Sequence, residues 1–308
     1  MKKGLVIKST GSFYSVKNEE GEIVTCKTRG KFRIKGIKST NPIAVGDNVI
    51  YTYDELNKIG LITKIEARRN YIIRKSINLS KQSHIIAANI DVAFLVVTLS
   101  VPETTTMFID RFLVSAEAYH IPVILLFNKM DIYQESDIDR VGEYRKIYES
   151  ASYKCLNVSA KSGENLDELK QLMINKKSVF VGHSGVGKSS LVKAIAPQID
   201  LKISDISFTH LTGKHTTTFA EMFEWTNNSY IADTPGIKAF GLLDFKKEEI
   251  SHYFPEIFQA SHQCKFQNCT HSHEPGCFIK EAVDQDYISL SRYQNYILMY
   301  EEEEGNYR

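Results

Sequence analysis

The stretch Gly182-His183-Ser184-Gly185-Val186-Gly187-Lys188-Ser189-Ser190-Leu191, GHSGVGKSSL, decides how the whole chain is to be read. It matches G-x-x-x-x-G-K-[ST] between an apolar run, KSVFVG, and a helical pattern, SSLVKAIA, which is the setting the motif requires. Glycines let backbone N–H groups curl around phosphate oxygens, and the helix that follows turns its N-terminus toward the anion. Lys188 then reaches the β- and γ-phosphates, and the Ser189 hydroxyl is placed to ligate Mg2+. A plain strand-to-helix turn would not need Lys-Ser after its last glycine.

Upstream, at the end of the apolar run IPVILLF, stands Asn128-Lys129-Met130-Asp131. Guanine offers N1–H and an exocyclic amine side by side, and the Asp131 carboxylate accepts both, a pairing adenine cannot match. Asn128 is expected to tie this loop to the phosphate loop, and Lys129 to lay its methylene stem over the base. NKxD alone recurs by chance in strand-to-helix turns. Ser159-Ala160-Lys161, one βα unit later, gives it weight as the companion loop whose backbone N–H meets guanine O6.

Downstream, Asp233-Thr234-Pro235-Gly236 follows the apolar run SYIAD. Asp233 is expected to hold Mg2+ through water, and the Gly236 N–H to sense the γ-phosphate. By itself DTPG is also simply a good turn. Between it and the phosphate loop lies Gly213-Lys214-His215-Thr216-Thr217-Thr218, in the position of a first switch; Thr217 is the expected Mg2+ ligand among three adjacent candidates. All the parts of a GTP site are present, ordered base loop, companion loop, phosphate loop, first switch, second switch. Ordinary GTPases place the phosphate loop first and the base loop last.

The surrounding pattern alternates strands and helices from NIDVAFLVVTL to the phosphate loop, so an α/β fold with a mostly parallel sheet is expected, its ligand loops at the carboxyl ends of strands. Before it, KGLVIKS, GSFYSVKN, EEGEIVTCKT, GDNVIYTY and GLITKIEAR read as short strands broken by turns, a small β-barrel, joined on by the polar basic connector ARRNYIIRKSINLSKQSH. Charge separates these regions. Residues 1–82 carry 17 Lys/Arg against 7 Asp/Glu, residues 83–240 carry 15 against 18, and residues 241–308 carry 6 against 12. A basic end on a nearly neutral protein points to a polyanion, most often nucleic acid. Lys27, Arg29, Lys31, Arg33, Lys35 and Lys38 surround Phe32, cations and an aromatic suited to a phosphate backbone and a stacked base; a solvated basic loop is the competing reading.

In the acidic C-terminal part, Cys264, Cys269, His271 and Cys277 offer three thiolates and an imidazole within 14 residues, a plausible closed tetrahedral zinc site. Scattered buried cysteines, or His262 or His273 as the fourth ligand, are the alternatives. Cys26 and Cys155 read as core thiols. With 308 residues, 43% hydrophobic and 24% charged, the chain has the makeup of a cytosolic protein of two or three domains. No apolar run approaches the roughly 18 residues of a membrane span, the first residues make no signal peptide, and five cysteines make no secreted disulfide framework.

With its permuted motif order, GHSGVGKSSL, GKHTTT and DTPG, the chain resembles the circularly permuted ribosome small-subunit-dependent GTPase A family over nearly its whole length. The resemblance implies an oligonucleotide-binding (OB) barrel over 1–72, a permuted GTPase domain over 73–243 and a helical zinc domain over 244–308. It also implies GTP/GDP, Mg2+ and one structural Zn2+ held with His271 as the nitrogen ligand. The partner it implies is the 30S subunit with its 16S rRNA, and the protein a cytoplasmic, monomeric factor in late subunit maturation. Permutation needs only a short new link, and NKK joins the helix NLDELKQLMI to the strand of the phosphate loop. Hydrolysis is where the sequence departs from small GTPases. Ile237 follows DTPG in place of a water-orienting glutamine, and Gly185 stands where potassium-activated relatives place asparagine. The resemblance offers His215 for the attacking water; an RNA-contacting or merely exposed histidine is the alternative. Slow intrinsic turnover, stimulated by the subunit, is expected, and an RNA-binding assembly module with GTP as ligand only is the alternative function.

Overall fold

The structure is a computed structural model and describes residues 1–28, 42–75, 83–199, 220–233 and 246–302. They gather into two compact units, one drawn from Met1–Ala93, Asp167–Val181 and Leu191–Phe240, the other from Phe94–Leu166, Gly182–Ser190 and Gly241–Arg308.

The first unit begins with the expected barrel. Strands β1 (Lys2–Ser9), β2 (Tyr14–Asn18), β3 (Ile23–Thr28), β4 (Asn48–Asp54) and β5 (Ile59–Ile65) lie in the order β1-β2-β3-β5-β4, and β4 pairs back onto β1. Among the described residues of these five strands, only β3 and β5 pair in parallel. Closure removes the free edges an open sheet of this size would expose. Inward positions recur with the two-residue period of a strand, and Val6, Tyr14, Val16, Cys26, Val49, Tyr51 and Ile62 fill the interior with Ile43. Burial pushes the Cys26 thiol up to about 11, the state of a packing residue. At one end, Arg68 forks onto the fully buried Asp47 through two hydrogen bonds of 2.6 Å and donates to the Pro42 carbonyl at 2.7 Å.

The described parts of the connector contribute to two strands. Residues Tyr71–Lys75 (β6) pair antiparallel with Ser83–Ala88 (β7), and Val45 bridges to Ala87. Its basic character hid the alternation around Ile72 and Ile85, both buried. The same unit holds β11 (Lys177–Val181), β12 (Glu221–Thr226) and β13 (Ser229–Asp233). β11 and β13 are parallel neighbours, β12 and β13 form an antiparallel hairpin, and β12 meets barrel strand β1 at Lys8 and Glu221. That junction carries ion pairs from Lys8 to Glu221 at 2.8 Å and from Lys17 to Glu224 at 2.5 Å, with Lys17 also donating to the Tyr230 hydroxyl at 3.3 Å.

In the second unit, β8 (Val92–Val97, of which 94–97 belong here), β9 (Val123–Phe127) and β10 (Lys154–Asn157) lie side by side in the order β10-β9-β8. Every residue of β8 and β9 is buried, as expected for strands covered on both faces. Helices α1 (Thr106–Ala118) and α2 (Glu135–Ser150) alternate with them, Thr105 capping α1 through its hydroxyl. Helices α3 (Leu166–Met173) and α4 (Lys188–Ile195) follow β10 and β11 in the chain. The C-terminal part builds α5 (Pro255–Ser261), α6 (Phe278–Asp284) and α7 (Leu290–Glu301) around Ile250, Phe254, Ile257, Ile279, Tyr296 and Met299, and Val114 of α1 joins that core.

Candidate nucleotide site and metal centre

The phosphate loop leaves β11 at Val181 and enters α4 at Lys188. Two of its glycines hold positions that a side chain would break. Gly182 has φ +143° with an added Cβ only 2.5 Å from the Val96 carbonyl oxygen, and Gly187 has φ +93° with a Cβ 2.4 Å from Asn128 Nδ2. Lys188 Nζ donates to the carbonyls of Gly182 and His183 at 2.7 and 2.5 Å, folding back over the loop it serves. Ser184, Gly185, Ser189 and Ser190 are exposed and Val186 is buried beneath them.

The base loop meets this loop through one buried side chain. Asn128, 1% exposed, receives its place from its own N–H, which donates to the Val97 carbonyl at 2.9 Å, and donates Nδ2 to the Val186 carbonyl at 2.8 Å. Lys129 takes the left-handed conformation at φ 69° and donates Nζ to the Val101 carbonyl at 2.6 Å. Asp131 follows in a single 3-10 turn, Met130–Ile132. Its carboxylate accepts from the Ser159 hydroxyl at 2.6 Å, with Lys161 Nζ at 3.9 Å. Ser159 in turn accepts the N–H groups of Lys161 and Ser162 at 3.2 and 3.0 Å, so one hydroxyl both shapes the Ser159-Ala160-Lys161 turn and aims the Asp131 carboxylate. Sequence reasoning assigned Ser159 only a place in the turn.

Asp233 ends β13, opposite Glu221. Burial first, and the Glu221 charge second, push its carboxyl up to about 6. A buried carboxylate facing a second one is stabilised by a cation, so the residue suits the divalent ion expected there. His215, Thr217 and Gly236 lie outside the described residues. So do Arg29, Lys31, Phe32, Arg33, Lys35 and Lys38, whereas Lys27 on β3 holds its ammonium 4.5 Å from the Phe13 ring centroid.

A candidate metal centre is formed by Cys264, Cys269, His271 and Cys277, whose potential ligand atoms all lie within 4.8 Å of one another. His271 Nδ1 stands 3.6 Å from Cys264 Sγ and 3.5 Å from Cys277 Sγ. Burial, and then the neighbouring thiols, push Cys269 up to about 12, and burial raises Cys277. Three crowded sulfurs and an imidazole fit a soft divalent cation with four-coordinate geometry. Tyr293 and Tyr296 donate to the carbonyls of His271 and Thr270 at 2.7 and 2.6 Å and hold the knuckle from α7. His273 bonds Ser272 at 2.9 Å and His262 stacks edge-on to Phe258, both outside the cluster. Cys26 and Cys155 are buried apart from it, and burial pushes Cys155 up to about 12.

The comparisons with known proteins agree with this layout. The model of the RsgA GTPase family matches residues 65–243, and that of the RsgA N-terminal domain matches residues 3–62. The chain is 54% identical over 308 residues to the small ribosomal subunit biogenesis GTPase RsgA of Christiangramia forsetii, covering 99% of this chain and 98% of the relative. It is 55% identical over 309 residues to small ribosomal subunit biogenesis GTPase RsgA 2 of Bacteroides thetaiotaomicron, covering 99% of each. Among solved structures, YjeQ from Thermotoga maritima superposes with a TM-score of 0.81 at 38% identity over 97% of both chains. YloQ, described as a circularly permuted GTPase, superposes with a TM-score of 0.76 at 32% identity, covering 97% of this chain and 94% of its own.

Proposed function

This chain belongs to the RsgA GTPase family, and on that premise we propose that it hydrolyses GTP as a biogenesis factor of the small ribosomal subunit, acting late in 30S maturation and turning over faster when docked there. The observation that carries the reading is the Asn128 amide on the Val186 carbonyl, which joins a base loop to a phosphate loop that follows it in the sequence. Backbone N–H groups of residues 184–189 surround the β-phosphate, Lys188 bridges the β- and γ-phosphates, and Asp131 with the Ser159–Lys161 turn selects guanine. Ser189, Thr217 and Asp233 are the residues that would hold Mg2+, which would supply charge neutralisation at the phosphates. His215 positions the attacking water, the task that Ile237 cannot perform.

The division into residues 1–72, 73–243 and 244–308 is supported by the two family matches and by the cysteine cluster. The barrel and its basic loop bind 16S rRNA, a reading supported by the excess of Lys and Arg in residues 1–82. One zinc at Cys264, Cys269, His271 and Cys277 has no open position and holds structure. The protein acts as a cytoplasmic monomer. Co-sedimentation with purified subunits tests the partner. Binding to small subunits that is stronger with a non-hydrolysable GTP analogue than with GDP, and weakened by salt, is expected; equal binding to small and large subunits would refute it.

A further inference from the structure

In the second unit, helix α1 lies between two features that the motifs keep apart. One side of α1 presents Met107, Asp110 and Val114, the i, i+3, i+7 spacing of a single helix face. Met107 and Val114 pack into the C-terminal core, and Asp110, fully buried, accepts from Arg292 Nη1 at 2.7 Å and from Asn295 Nδ2 at 2.7 Å. Phe108, two residues before Asp110 and so about 200° around the helix, sets its ring against His183 of the phosphate loop, with centroids 3.7 Å apart.

Arg292 does more than fill space in α7. Its side chain is 1% exposed, it forks onto Glu256 of α5 through Nε at 2.7 Å and Nη2 at 3.0 Å, and its guanidinium lies 4.6 Å from the Phe254 ring centroid. Apolar surfaces can slide over one another at little cost. A buried guanidinium that divides its donors between Asp110 and Glu256 permits one register of α1 against α5 and α7, because any slip leaves a charge unpaired in a dry environment.

We infer that Arg292 is a positioning residue for the phosphate loop, fixing α1 from the C-terminal side so that Phe108 on its other side fixes His183. The carbonyls of Gly182 and His183 are the two that receive Lys188 Nζ, so the placement of His183 sets where the phosphate-binding lysine and the adjoining backbone N–H groups stand. The zinc-bearing segment thereby gains a route to the nucleotide site that does not pass through the second switch. Loss of the strut disturbs the loop before any bond is broken, so GDP and GTP lose affinity alike, KM rises and kcat changes little. The inference rests on the GTPase reading for its readout.

The test uses the full chain with fluorescent GDP. Dissociation constants are measured for Phe108→Ala, Arg292→Met, the double variant, and Asp110→Asn as a near-isosteric second probe, with zinc content and melting temperature recorded for each. Each single variant should weaken GDP about fivefold with zinc retained, and the double variant should be no worse than the weaker single variant, because both changes cut one path. Folded, zinc-loaded Arg292→Met or Asp110→Asn binding GDP as the wild type does would overturn the inference. So would a double-variant loss equal to the product of the single losses. A wild-type protein that binds no guanine nucleotide would instead sink the GTPase reading.

Discussion

At the residue scale, the contact between Gly187 and Asn128 states the site's demands most sharply. A Cβ on Gly187 would sit 2.4 Å from Asn128 Nδ2, on a backbone at φ +93° that L side chains rarely adopt, so Gly187→Ala must break the join between base loop and phosphate loop. We expect guanine nucleotide affinity to fall about 100-fold or more, a loss on the scale of two charge-assisted hydrogen bonds; titration with fluorescent GDP checks it, and an unchanged affinity would show that the join is dispensable. The phosphate loop, the base tetrapeptide and the Cys264, Cys269, His271 and Cys277 cluster were legible in the sequence because chemistry confines them to short spacings. The Ser159 hydroxyl on Asp131, the Phe108 ring on His183 and the Arg292–Asp110 pair were not. Asp110 and Arg292 are separated by 182 residues, and each sits in a helix whose periodicity alone does not say that its charge faces inward.

Among the elements, the periodic ones matched expectation: the barrel strands, the apolar runs that form β8, β9, β11 and β13, and the helical stretches NLDELKQLMI and SSLVKAIA that form α3 and α4 all fall where alternation or helical spacing put them. The hairpin strand β12 was missed because EMFEWT carries two acids, and those acids turn out to serve Lys8 and Lys17 of the barrel. Burial raises the Glu224 carboxyl, but the bonds from Lys17 and the Asn228 N–H more than offset that and hold it below the usual carboxylate range. A depressed carboxylate stabilises the fold above its unfolded value, roughly pH 4.3, and that stability is lost as pH falls through the lower folded value. Lys17→Met should therefore lower the melting temperature at pH 7 and lower it much less at pH 3.5. A pH-independent difference would assign the effect to packing alone. Helices α5 and α6, seven residues each, are too short to announce themselves by periodicity and depend on the metal knuckle and on Arg292. Cys269→Ser should accordingly reduce bound zinc from about one per chain and lower the melting temperature by about 5 °C or more; full zinc occupancy with an unchanged melting temperature would exclude Cys269 as a ligand.

For the whole molecule, the reversed motif order is the governing fact. Placing the base loop first leaves residues 241–308 directly after the second switch, and the same C-terminal part is held to α1 by Asp110, Arg292 and Glu256. The motif order was legible from sequence alone because each motif carries its own chemistry. How α1 serves both the phosphate loop and the C-terminal helices was not, since neither of its faces bears a motif. Turnover of this GTPase is proposed to be completed by the small ribosomal subunit, so the decisive measurement is the rate of GTP hydrolysis titrated with purified small subunits. A slow rate alone and a saturable rise of at least about tenfold on adding small subunits are expected, because catalytic groups are then ordered by a partner. A rate that stays the same from no subunits to a saturating excess would contradict the proposal.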